Sequence, residues 1–138
     1  MKDDLYKTIE RFEPQMVSLL SGLIGIPAIS PLGGGAGEYR KAAYIAESLE
    51  KMGFGKPEVY NAADPAAEEG VRPNLIFRIP GKTSRRLWIV SHIDVVPEGD
   101  RGLWDTDPFK AVVRDRRIYG RGSNDNCQEL VSSLYAVV

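Results

Sequence analysis

The stretch Leu87-Trp88-Ile89-Val90-Ser91-His92-Ile93-Asp94-Val95-Val96-Pro97 constrains the fold more than any other part of the chain. It opens as a short apolar run of branched and aromatic residues, the composition of a strand buried at the centre of a sheet. His92 and Asp94 stand near its end, two positions apart, and a strand's period of two turns both side chains to one face. An imidazole beside a carboxylate suits metal binding, because the carboxylate fixes the tautomer and raises the ring's basicity. Further on, Ile118-Tyr119-Gly120-Arg121-Gly122-Ser123-Asn124-Asp125 forms a glycine-flanked turn that delivers Asp125 just ahead of a helical pattern. Open α/β sheets place their ligands at strand ends, where a carboxylate so delivered can reach.

Helix and strand patterns alternate along the rest of the chain. Leu5, Ile9 and Phe12, then Met16, Leu19, Leu20 and Leu23, recur at helical spacing, with Pro14 expected to kink or restart the helix. Residues 26–37 follow, where Pro27, Pro31, Gly33, Gly34, Gly35 and Gly37 mark an irregular connection. No strand precedes that connection and no phosphate-loop pattern can be laid on it, which argues against a nucleotide-binding module. A second amphipathic helix is expected over 38–52, with Tyr39, Ala42, Ala43, Ala46 and Leu49 inward and Gly53 as its stop. Strands are expected near 57–60 and 74–79, separated by a solvated loop at 61–72 and followed by a polar turn at 82–86. Residues 110–114 and 117–119 read as a hairpin around Asp115-Arg116. Finally Cys127, Leu130, Val131, Leu134, Tyr135 and Val138 follow the spacing of a helix with one buried face.

The chain stops inside that last pattern, with no terminal Gly, cation or polar tail. The expectation is an N-terminal piece of a longer protein. Its 138 residues suffice for a core of ordinary hydrophobicity. With 18 Lys and Arg against 19 Asp and Glu, charge gives no reason to expect nucleic acid or an anionic membrane as partner. Residues 15–37 are uncharged, yet acidic residues precede them and Pro27 and Pro31 interrupt them, unlike a signal peptide or a membrane span. A single cysteine, Cys127, excludes an internal disulfide and fits a cytoplasmic setting.

Three motifs together carry a resemblance. They are Ser91-His92-Ile93-Asp94-Val95-Val96-Pro97, Trp104-Asp105-Thr106-Asp107-Pro108-Phe109 and Tyr119-Gly120-Arg121-Gly122-Ser123-Asn124-Asp125. In that order they closely resemble the zinc-dependent aminoacylase and carboxypeptidase family, which includes acetylornithine deacetylase, succinyl-diaminopimelate desuccinylase and many dipeptidases. The resemblance implies an α/β fold, the N-terminal half of a zinc-exopeptidase-like catalytic domain with a mixed, mostly parallel central sheet flanked by helices. Residues 1–138 would then be the N-terminal part of that domain, without its C-terminal part or the lid and dimerisation domain. By the same resemblance His92 ligates one zinc, Asp94 is the catalytic carboxylate that clamps its ring, and Asp125 bridges two zincs. It also implies a cis peptide directly after Asp125.

The implied activity is metal-dependent hydrolysis of an amide bond in an N-acyl amino acid or short peptide, using two zinc ions, with cobalt a possible substitute. The parent would be a cytoplasmic metallohydrolase, a homodimer where its lid domain dimerises as it often does in the family, and this chain alone would be inactive. The pattern departs from the family after Asp125, where Cys127 and Gln128 stand in place of a frequent Lys-Gly. Taken alone, a histidine beside an aspartate at a strand end is more often a rim or core residue than a ligand. The ordered motifs favour the metal. Cys127 lies on an apolar stripe and reads as a buried core residue rather than a thiolate ligand. Trp104, Pro108 and Phe109 read as packing residues, and Arg121 as a brace for its turn. The alternative from another class is a non-catalytic binding or scaffolding protein on the same fold.

Overall fold

The computed structural model describes residues 2–137, which build three helices and two small sheets. Helix α1 spans Lys2–Ile24 and runs through Pro14 without a break. Its second half buries Leu19, Leu20, Leu23 and Ile24, whereas Leu5, Tyr6 and Ile9 in the first half are exposed. Helix α2 spans Tyr39–Lys51, and Gly53 beyond its end adopts φ +91°, the left-handed stop expected of a glycine there. Its inward stripe is Lys41, Ala42, Ile45 and Leu49. Tyr39 and Ala43, expected inward, are exposed. Small Ala side chains gave the expected stripe little definition, and the charge on Lys41 hid its membership.

Strands β1 (Glu58–Ala63) and β2 (Val71–Ile76) pair antiparallel, from Glu58 opposite Ile76 to Ala63 opposite Val71. Asn61, Ala62 and Ala63, expected in a loop, are therefore strand. Their pairing with Pro73, Arg72 and Val71 outweighs a composition poor in strand formers. Strands β3 (Val112–Arg114) and β4 (Arg117–Tyr119) form the expected hairpin. Its turn holds Asp115 at φ 53° and Arg116 at φ 58°, the left-handed pair of a two-residue hairpin loop. Helix α3 spans Cys127–Tyr135 and packs on α1, with the Phe12 and Tyr135 ring centroids 5.4 Å apart. Val138, assigned to the same helical pattern, lies outside the described residues. Leu19, Leu20, Leu23 and Ile24 from α1, Ile45 and Leu49 from α2, and Cys127 and Val131 from α3 make one core.

The central sheet is where the structure departs from expectation. The described residues form two antiparallel pairs of strands, not a mixed, mostly parallel sheet. Residues 87–94 are extended without pairing, and Leu87, Trp88, Ile89 and Val90 face solvent. One parallel bridge, Ile29 with Val95, ties down the end of this segment. A strand exists only against a neighbour that takes its N–H and C=O groups, and among the described residues nothing lies alongside 87–94 to do so.

Candidate metal centre

Val95 is the anchor of the site. It is buried, its N–H donates to the Ala28 carbonyl at 3.0 Å, and it bridges Ile29. That fixes the end of an otherwise exposed segment and leaves His92 and Asp94 just ahead of it. The His92 ring lies between two aspartates. Its Nδ1 stands 3.2 Å from Asp94 Oδ1 and 3.2 Å from the Asp94 carbonyl oxygen. Its Nε2 stands 3.0 Å from Asp125 Oδ1, across 33 positions of sequence. One ring nitrogen is thus held from its own segment, and the other meets the carboxylate brought by the glycine turn.

Close packing explains why the turn delivers Asp125 there. The Arg121 N–H donates to Pro108 O at 2.6 Å, and the Cys127 N–H donates to Gly122 O at 3.1 Å, closing the turn onto α3. Gly122 has φ +82°, and a Cβ on it would fall 2.7 Å from Val95 Cγ1. Only glycine lets the turn lie this close to the segment carrying His92. The Asp125–Asn126 peptide is cis, as the resemblance implied. Arg121 braces the loop beside it: one guanidinium nitrogen donates to Glu98 O at 3.3 Å, and the group lies over the Trp104 ring, 5.2 Å from its centre. Trp104 donates to the same Glu98 carbonyl at 3.0 Å. Pro108 is fully buried. These residues pack the loop rather than face a ligand.

The three site side chains are open to solvent, with exposures of 50% for His92, 46% for Asp94 and 82% for Asp125. An imidazole nitrogen and a carboxylate oxygen that face one another are both good zinc donors. A catalytic zinc takes about three protein ligands, so this pair by itself does not complete such a site. Among the described residues, no group of three or more His, Cys, Asp and Glu side chains is arranged to hold a metal ion.

Beneath the turn lies a group the sequence reading missed. Lys41 of α2 is 1% exposed, and its Nζ lies 3.9 Å from Sγ of Cys127, which is equally buried. Burial pushes the Lys41 amine below its ordinary pKa, while the nearby Cys127, Asp94 and Glu38 act the other way. Burial likewise pushes the Cys127 thiol up, while the neighbouring Lys41 acts the other way, and Cys127 packs within the core. The available signal was spacing, because 41, 45 and 49 fall on one helical stripe.

Comparison with known proteins places this geometry in context. Residues 88–138 match the model for the peptidase family M20/M25/M40. An uncharacterized metallohydrolase of Methanococcus maripaludis is 43% identical over 141 residues, an alignment covering 97% of this chain and 31% of that protein. A succinyl-diaminopimelate desuccinylase of Rickettsia felis is 36% identical over 110 residues, covering 79% of this chain and 26% of the relative. Among solved structures, the dipeptidase Dug1p of Saccharomyces cerevisiae superposes with a TM-score of 0.80 at 27% identity, covering 96% of this chain and 29% of Dug1p. The chain therefore spans less than a third of the length of each of these relatives. No described helix is long and apolar enough to cross a membrane.

Proposed function

From the premise that this chain belongs to the M20/M25/M40 peptidase family, we propose that it carries part of the metal centre of an amide hydrolase. The substrate class is an N-acyl amino acid or a short peptide, in line with the desuccinylase and dipeptidase relatives. The observation that carries the reading is the His92 ring held between two carboxylates, Nδ1 on Asp94 and Nε2 on Asp125. In this reading Nε2 of His92 and the carboxylate of Asp125 are zinc donors, and Asp94 holds the ring in the tautomer that leaves Nε2 free to bind. Bound zinc supplies Lewis acidity toward an amide carbonyl and toward water. Two ions per site, with Asp125 between them, are part of the proposal, and cobalt is expected to substitute.

The remaining donors, the general base and any dimerising lid would come from sequence corresponding to the rest of the relatives. The segment at 87–96 would then be a central strand of a mixed sheet. Its exposed apolar side chains and the parallel Ile29–Val95 bridge support that role. The proposed setting is the cytoplasm.

The test uses the 138-residue chain and the chain's one histidine. Titrating zinc while following the His92 ring nitrogens by NMR should perturb Nε2, and His92→Ala should abolish zinc uptake. Zinc that leaves the ring unperturbed would overturn the metal assignment. The chain loaded with zinc or cobalt should not hydrolyse a panel of N-acyl amino acids and dipeptides, whereas the complete protein should, with loss of turnover on chelation. Metal-dependent turnover by the monomeric 138-residue chain, lost on His92→Ala, would show that the site is complete without further sequence.

A further inference from the structure

We infer that Lys41 is a positioning residue of the metal centre: by holding Cys127 from beneath, it sets where Asp125 stands against His92. The contacts form one stack. Lys41 rises from the first turn of α2, and its Nζ meets Cys127 Sγ at 3.9 Å. Cys127 is the first residue of α3, and its N–H closes the turn onto Gly122 O at 3.1 Å. Gly122 rests on Val95: a Cβ there would come within 2.7 Å of Val95 Cγ1, 3.5 Å of Cys127 Sγ and 3.7 Å of Asp125 O. Val95 ends the segment that carries His92 and Asp94. Lys41 thus reaches the point where the two halves of the site are pressed together.

The choice of side chain supports a role beyond filling space. Burying an amino group costs free energy that Met or Leu at the same position would not, so a purely structural requirement would be met better by hydrocarbon. Glu38, also buried, is already engaged by Arg72 through two hydrogen bonds. Lys41 instead donates to the sulfur behind Asp125. An N–H···S contact is directional where a methylene contact is not, and it pins the position of the α3 start relative to α2.

The test compares Lys41→Met, Cys127→Ala and the double variant in the 138-residue chain, with circular dichroism and thermal melting as controls for folding. In the metal-free protein, Lys41→Met should shift the His92 Nε2 resonance toward its value in Asp125→Ala. The Nδ1 resonance, which reports Asp94 on the same segment as the ring, should stay in place. Cys127→Ala should produce the same selective shift, and Lys41→Met should add nothing in that background. Zinc affinity should fall at least ~10-fold, the lower end of what losing a group that orients a ligand costs. A group acting only as a positive charge would repel the metal, so its removal would tighten binding.

Three results would overturn the proposal: an unmoved Nε2 resonance in a folded Lys41→Met variant, additive effects of the two substitutions, or tighter zinc binding. If Lys41→Met does not fold, the Cys127→Ala shift decides alone. The zinc arm rests on the proposed metal centre and the imidazole arm does not. Wild-type chain that takes up no zinc would count against the former reading, and the Nε2 shift would still decide the role of Lys41.

Discussion

Leu23 and Leu87 are the same kind of side chain at opposite extremes, 0% exposed in α1 and 86% exposed at the head of the extended segment. Around Leu23, the helices bury Leu19, Leu20, Ile24, Ile45, Leu49 and Val131 together. Around Leu87, Trp88, Ile89 and Val90 are just as apolar and stand in solvent, with Val90 at 80%. Hydrophobicity does not separate the two regions. A helix satisfies its backbone within itself and needs only another surface for its stripe. An extended segment needs a neighbour to take its backbone groups before its side chains can be covered. The candidate site lies on the seam, with His92 and Asp94 from the extended segment and Asp125 from the turn into α3.

If the helical region alone carries the stability, its core is where substitution hurts most. Leu23→Ala should cost ~2–5 kcal/mol, the range for a fully buried Leu whose cavity cannot collapse. Urea unfolding followed by circular dichroism measures it. A loss within experimental error would mean that α1 is not packed on α2 and α3 in solution, and the contrast between the regions would disappear.

The seam should respond next. Gly122→Ala meets both a φ of +82° and the Val95 side chain, so it should destabilise by ~1–3 kcal/mol. It should also separate Asp125 from His92, which the Nε2 resonance would report. Asp94→Asn tests the other side of the ring. It should weaken zinc binding ~10–100-fold while retaining more zinc than His92→Ala, and in the complete protein it should remove most turnover. Zinc affinity and turnover unchanged in Asp94→Asn would remove the clamp role and leave Asp125 as the one carboxylate that matters.

What was legible in the sequence divides along the same line. The helix over 39–51 and the 112–119 hairpin were readable because their signals are local: an apolar stripe with a glycine stop, and two strand runs around a polar pair. The spacing of His92 and Asp94 was local too, and the two side chains do meet at Nδ1. Proximity of Asp125 to His92 is not local, and it became readable only through the order of three motifs. The sheet around 87–90 was not legible, because these residues show what a central strand's side chains look like and nothing about what pairs with it. Asn61–Ala63 failed in the opposite direction, since pairing with 71–73 made a strand of a composition that reads as loop. Lys41 was not legible by residue type, because a lysine is seldom fully buried. Its register with Ile45 and Leu49 said otherwise.

The smallest expected effect is the sharpest test of the comparison. Leu87→Ser with Val90→Ser replaces two large apolar side chains that the structure leaves in water. Substitutions at such surface positions usually change stability by less than ~0.5 kcal/mol, and the urea midpoint should barely move. Self-association should change instead. An extended apolar segment with free backbone groups is a template for pairing with a second chain, so the wild-type chain should associate as concentration rises and the double variant should do so less. Sedimentation over a concentration series reads this directly. Suppose the double variant lost more than ~1 kcal/mol while the wild-type chain stayed monomeric. The segment would then be covered by its own chain in solution, and the difference between Leu23 and Leu87 would be one of position within a single core.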